Sequence, residues 1–152
     1  MTVVAEPIYD SDMACIFCRI VSGEIPAEVV LREPDVVAFL DIQPLADGHV
    51  VVIPRAHVAL LEELEPAAAE ALFRAVVRLA RPVREALGAA GTTIGVNNGE
   101  ATGQTIPHVH VHIVPRREGD GAGSVHTIFP RGARRPLGEV GEAIRRAAGG
   151  LT

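Results

Sequence analysis

Residues 108–114 read H-V-H-V-H-I-V: three histidines set two apart, with a branched aliphatic residue between neighbours. Side chains branched at Cβ favour an extended backbone, and an extended backbone sends successive side chains to opposite faces. The run therefore predicts a strand over 106–114. His108, His110 and His112 line one face at intervals of ~6.6 Å, while Val109, Val111 and Ile113 anchor the other face in a core. A single histidine on an apolar surface reads first as a satisfied core group. Three in register point to a site, because a folded core rarely needs a row of titratable rings.

The remaining periodicities place this strand in an α+β chain with a mostly antiparallel sheet. Residues 15–21 suit a short helical turn, and 28–32, 36–40 and 49–53 read as strands separated by turn signals at 33–35 and 44–48. One long helix is predicted over 66–87. Pro66 suits its first position, Leu72, Val76, Leu79 and Val83 recur at helical spacing, and Gly88 reads as its C-cap. Pro82 should kink it or tighten its last turns. A further strand is expected over 93–97 and a short helix over 136–148. Residues 1–12 show no period and are expected to be a flexible tail. Residues 13–152 are expected to form one domain.

Composition removes several kinds of function. The formal net charge is −5 and the sequence has no basic stripe, which argues against a nucleic-acid partner. All fourteen basic residues are Arg, so Schiff-base and P-loop lysine chemistry are excluded. Four Phe, one Tyr and no Trp leave little to stack on single-stranded nucleic acid. No apolar run is long enough to imply a membrane helix, and the start lacks the charge pattern of a secretory leader. The expectation is a cytoplasmic protein whose two cysteines, Cys15 and Cys18, do not serve as a structural disulfide.

Other residues gain meaning from the histidines. Cys15 and Cys18 form a CxxC, open on its own between half of a metal site, a redox dithiol and small core side chains. A zinc site would need two more ligands, typically His, and His57 with one of the triad could supply them. Asn97, Gln104 and Thr105 flank the histidine strand and offer uncharged donors for phosphate oxygens. Asp41, ending an apolar strand, could cap a turn or hold a ribose hydroxyl. Glu62, Glu63 and Glu65 read as a solvated approach to the long helix. A separate reading makes the three histidines ligands of one catalytic metal.

The segment 104–115, QTIPHVHVHIVP, resembles the signature of the histidine triad (HIT) superfamily of nucleotide hydrolases and transferases. Three further blocks resemble that family in the same order: CIFCRIVSGEIP at 15–26, FLDIQP at 39–44 and HVVVIPRAH at 49–57. The likeness spans about residues 14–117. It implies a five-stranded antiparallel sheet with one long helix and short flanking helices, and a homodimer that continues the sheet.

The resemblance also implies roles. His110 would be the nucleophile at the α-phosphate of a purine nucleotide, forming a nucleotidyl-histidine that water hydrolyses, with His112 and His108 completing the catalytic set. His110 would need one ring nitrogen held by a fixed acceptor, such as a nearby backbone carbonyl. Gln104, Thr105 and Asn97 would assist at the phosphate, Asp41 at the ribose, and Ile16, Phe17, Ile20, Phe39 and Ile42 around the base. His49 matches a pocket histidine. Cys15, Cys18, His57 and His108 would bind a structural zinc, with no organic cofactor. A nucleotide-binding module without turnover is the other reading of the same pocket.

Overall fold

The computed structural model describes residues 14–129 and 132–149; the expected tail lies outside them. The chain divides between Asp120 and Gly121 into two compact units. In the first, α1 (Ile16–Val21) precedes three strands, β1 (Val29–Arg32), β2 (Val36–Leu40) and β3 (Val50–Pro54). Next come α2 (Pro66–Ala86), β4 (Gly91–Gly95) and β5 (Val111–Arg116). The strands form one antiparallel sheet in the order β1-β2-β3-β5-β4. The second unit holds α3 (Val125–Ile128) and α4 (Leu137–Ala148).

The sheet is covered on both faces, which explains why β2 and β3 are apolar without alternation. Val36, Ala38, Val50 and Val52 join Val109, Val111 and Ile113 against Ala71, Leu72, Ala75 and Val76 of α2. On the opposite face Val37, Phe39, Val51 and Ile53 pack with Phe17 and Ile20 of α1 and with Cys15. The α1 turn is thus held across the same face that carries the histidines.

The long helix follows its sequence signals closely. Pro66 opens it, and it continues through Pro82, whose ring removes the bond to the Arg78 carbonyl. Both residues are exposed, so water can satisfy that oxygen. The helix ends in a Schellman motif: Gly88 has φ +57°, its N–H donates to Glu85, and the Ala89 N–H donates to Arg84.

Two strands differ from the sequence expectation by more than one residue. β5 begins at Val111, so His108 and His110 precede it. Its ladder with β3 stops at Val52↔Val111, and beyond that register stand Pro54 and Pro107, neither with an N–H to give. The His108 N–H bonds to Ile106 O and the Val109 N–H to Val58 O, each at 2.8 Å. Alternation survives this change, since Val109 remains in the α2-side core and the imidazoles lie outside it. β4 covers Gly91–Gly95 rather than 93–97, because its pairing ends at Gly95↔His112, next to where β5 begins.

Candidate active site

His108 and His110 are buried and His112 is half-buried, but the three rings face different partners. His108 Nε2 lies 2.8 Å from the Pro54 carbonyl oxygen. A carbonyl can only accept, so this nitrogen carries the ring proton. Its Nδ1 then points the other way, into a group formed with both cysteines and His57. The distances are Cys15 Sγ at 3.5 Å, Cys18 Sγ at 3.6 Å and His57 Nδ1 at 3.3 Å, with Cys18 Sγ 3.3 Å from His57 Nδ1. A tetrahedral zinc with bonds of ~2.3 Å to sulfur and ~2.05 Å to nitrogen needs S···N edges of about 3.5 Å and N···N edges of about 3.3 Å. Cys15, Cys18, His57 and His108 therefore fit a closed Cys₂His₂ zinc site, drawn from three separate parts of the chain.

His110 is turned toward a cavity of about 360 Å³. Its Nδ1 lies 2.7 Å from the backbone oxygen of His108, so Nδ1 donates and Nε2 is left with its lone pair. Phe17 packs its ring at 78° to that of His110 with 5.2 Å between centroids, and the His112 ring stands 4.9 Å from it at 80°. The imidazole makes edge contacts with two rings. The triad does not converge on one metal, because His108 and His110 direct their Nδ1 atoms to unrelated partners.

The cavity wall is largely apolar. Ile16, Phe17, Ile20, Phe39 and Ile42, which the family resemblance assigned to the base, line it, and Asp41, Thr105 and His112 add polar groups. Ile25, Pro26, Ala27 and Ile106 also line it; sequence reasoning passed over them, although the first three follow α1 directly. Asp41 is fixed by an Asx turn, its Oδ1 accepting the Gln43 N–H at 2.8 Å.

Three expected pocket residues lie outside this lining. Asn97 is exposed beyond the end of β4. Gln104 ties its loop to the segment before α2: Oε1 accepts the Gly99 N–H at 2.7 Å, and Nε2 donates to Ala59 O at 2.9 Å and Ile106 O at 3.1 Å. His49 sits behind His112, only 2 % exposed. Glu62 and Glu63, expected to be merely solvated, fasten this region: Glu62 accepts from Asn98, and Glu63 accepts the Ala59 and Leu60 N–H groups.

Burial sets the charge of the inner imidazoles. His49 is pushed below its ordinary value by desolvation, opposed by the Asp41 carboxylate. His112 is lowered to about 4, by desolvation first and then by the neighbouring His110 and His49, again opposed by Asp41. Both are neutral at pH 7. Asp41, His49 and His112 form a second cluster of potential ligands. There, however, Leu45 N–H faces His49 Nδ1 at 3.2 Å and His112 faces His49 Nε2 at 2.9 Å. Hydrogen bonds engage both nitrogens of His49.

A HIT domain family profile matches residues 22–119. Protein hit of Bacillus subtilis is 42 % identical over 112 residues, spanning 73 % of this chain and 77 % of that protein. An adenosine 5′-monophosphoramidase of Schizosaccharomyces pombe is 38 % identical over 104 residues, 68 % of this chain and 75 % of that enzyme. Among solved structures, a Streptococcus mutans protein aligns over 97 % of this chain and 94 % of its own, with TM-score 0.81 and 35 % identity. A zinc-bound histidine triad family protein of Mycobacterium smegmatis aligns over 90 % of this chain and 94 % of its own, with TM-score 0.70 and 38 % identity. With its family blocks assembled around one cavity and this breadth of likeness, the chain belongs to the HIT domain family.

Proposed function

We propose that the protein is a nucleotide hydrolase that cleaves at the α-phosphate of purine nucleoside phosphoramidates or dinucleoside polyphosphates, through a nucleotide bound covalently to His110. One observation carries the reading: the His108 carbonyl holds the proton of His110 on Nδ1 and leaves Nε2 as a bare nucleophile at a cavity wall. The phosphoramidase activity of the Schizosaccharomyces pombe relative supports it.

In the first half-reaction His110 Nε2 attacks phosphorus, the bond from phosphorus to the leaving group breaks, and the leaving atom takes a proton from solvent. In the second, water attacks the same phosphorus and gives up a proton to solvent, the P–N bond to His110 breaks, and the nucleoside monophosphate departs. Splitting one displacement into two lowers each barrier. His112 donates a hydrogen bond to the phosphoryl oxygens, and Thr105 at the cavity edge assists. Asp41 accepts from the ribose hydroxyls. Ile16, Phe17, Ile20, Phe39 and Ile42 close on the base. Gln104 acts indirectly, by holding the loop that carries Thr105.

Cys15, Cys18, His57 and His108 would hold a zinc ion, which with four protein ligands supplies bracing and no Lewis-acid contact to substrate. The same residue, His108, ligates through its side chain and holds the nucleophile through its carbonyl. The proposal includes a homodimer in the cytoplasm, acting on a purine nucleotide rather than on nucleic acid or membrane.

Adenosine 5′-phosphoramidate tests this directly. The expected result is release of ammonia and AMP by the wild-type protein and none above background by His110→Ala. Tight nucleotide binding without turnover on phosphoramidate and dinucleoside polyphosphate substrates would replace the enzyme with a binding module.

A further inference from the structure

The proposed reaction leaves one buried histidine without a task. His49 lies 63 positions from His112 in sequence, is 2 % exposed, and does not line the cavity. We propose that His49 is a positioning residue that locks His112 in its Nε2–H tautomer, so that the ring presents a donor to the phosphoryl group; this rests on the reading of the site given above.

Each link in the proton bookkeeping follows from the one before. The Leu45 backbone N–H, 3.2 Å from His49 Nδ1, can only donate. His49 Nδ1 is therefore the acceptor, and a neutral His49 must carry its proton on Nε2. That proton faces His112 Nδ1 at 2.9 Å. His112 Nδ1 must then accept, which moves the His112 proton to Nε2. His112 lines the cavity and lies against His110, so its donor belongs to the reacting site.

The two adjacent histidines thus receive opposite tautomers from opposite backbone groups. A carbonyl, that of His108, accepts the Nδ1–H of His110 and so leaves its Nε2 bare. An amide, that of Leu45, acts through His49 to bare Nδ1 of His112 and protonate its Nε2. A nucleophile and a hydrogen-bond donor result from one residue type without any change of net charge. The groups facing His49 and His112 are Asp41, 3.7 Å from His49 Nδ1, and His110. Burial keeps both His49 and His112 neutral at pH 7, so the tautomers persist under working conditions. The burial of His49 also prevents water from replacing it.

Ring ¹⁵N NMR of the full-length protein reads the tautomers without substrate. The expected spectrum shows His49 and His112 both protonated on Nε2, with His112 Nδ1 shifted as a hydrogen-bond acceptor. His49→Phe keeps a ring and removes the donor, so the shift of His112 Nδ1 should be lost. kcat toward adenosine 5′-phosphoramidate should fall at least about tenfold, as for other orienting partners, with KM changed less than about threefold. His49→Gln retains an amide donor near the Nε2 position and should recover part of kcat. Either a His112 proton on Nδ1 in the wild type or a His49→Phe kcat within about threefold of wild type overturns the proposal. If His49→Phe does not fold, the wild-type spectrum and the His49→Gln kcat decide. A wild-type protein that turns over no nucleotide fails the hydrolase reading instead, and the NMR result still stands or falls alone.

Discussion

The bare nitrogen of His110 depends on one oxygen atom. A carbonyl at 2.7 Å fixes the proton of that ring on the far side, and no acidic residue is needed to do it. Removing the imidazole in His110→Ala should abolish turnover while leaving nucleotide affinity within a few-fold, read by isothermal titration with AMP, because the apolar wall of the cavity remains. His112 and His49 make a second prediction. Their folded values lie below the unfolded value of 6.5, His112 at about 4. Between those limits the unfolded chain binds more protons, so stability falls as pH drops from about 6.5 toward 4 and is flat with respect to His112 below that. The loss attributable to His112 is at most about 3.4 kcal/mol and, reduced by solvent screening at this half-buried ring, roughly 2–3 kcal/mol, measurable as a shift in urea midpoint. In His112→Gln the slope over this window should shrink.

At the scale of elements, the turn between β2 and β3 is shaped by a close approach. Gly48 has φ +84°, and a Cβ there would stand 2.7 Å from Leu87 Cγ at the end of α2. Gly48→Ala should destabilise by about 1–3 kcal/mol through backbone strain and overpacking together, seen in chemical denaturation. The same turn carries Leu45, whose N–H ends on His49, and Asp41 precedes it.

How much was legible follows from what each element depends on. Alternation along the histidine run correctly separated imidazoles from the valine core, since it is a local property. The start of β5 was not legible, because it depends on Pro54 meeting the segment after Pro107 across the sheet. CxxC, His57 and His108 each suggested a ligand, but only the fold brings the four donors together, within 4.8 Å of one another and with four separations of 3.3–3.6 Å. His49 against His112 had no sequence signal beyond its place in a family block. Asn97 illustrates the converse: a suitable donor beside the right strand, yet exposed once β4 ended two residues earlier than its composition indicated.

For the whole first unit, the proposed zinc ties α1 to the segment after β3 and to the histidine segment. Metal analysis of protein purified without chelator should give one zinc per chain, falling to none in the double variant Cys15→Ser, Cys18→Ser. Zinc held at a free concentration about a hundredfold above its dissociation constant contributes about 2.7 kcal/mol. Chelation should therefore lower Tm by roughly 5–10 °C for a chain of this size. β4 stands at the end of the sheet with Ile94 42 % exposed; in the proposed homodimer its outer edge would meet a second copy. Sedimentation equilibrium should then report twice the 16.0 kDa chain mass, and a single-chain mass would remove the homodimer from the proposal.

The most direct measurement is rapid-quench mass spectrometry of the intact protein mixed with adenosine 5′-phosphoramidate. Wild type should gain the mass of one adenylyl group during turnover, mapped to His110 and absent in His110→Ala. Sustained hydrolysis by His110→Ala, or an adduct mapped to another side chain, would contradict it.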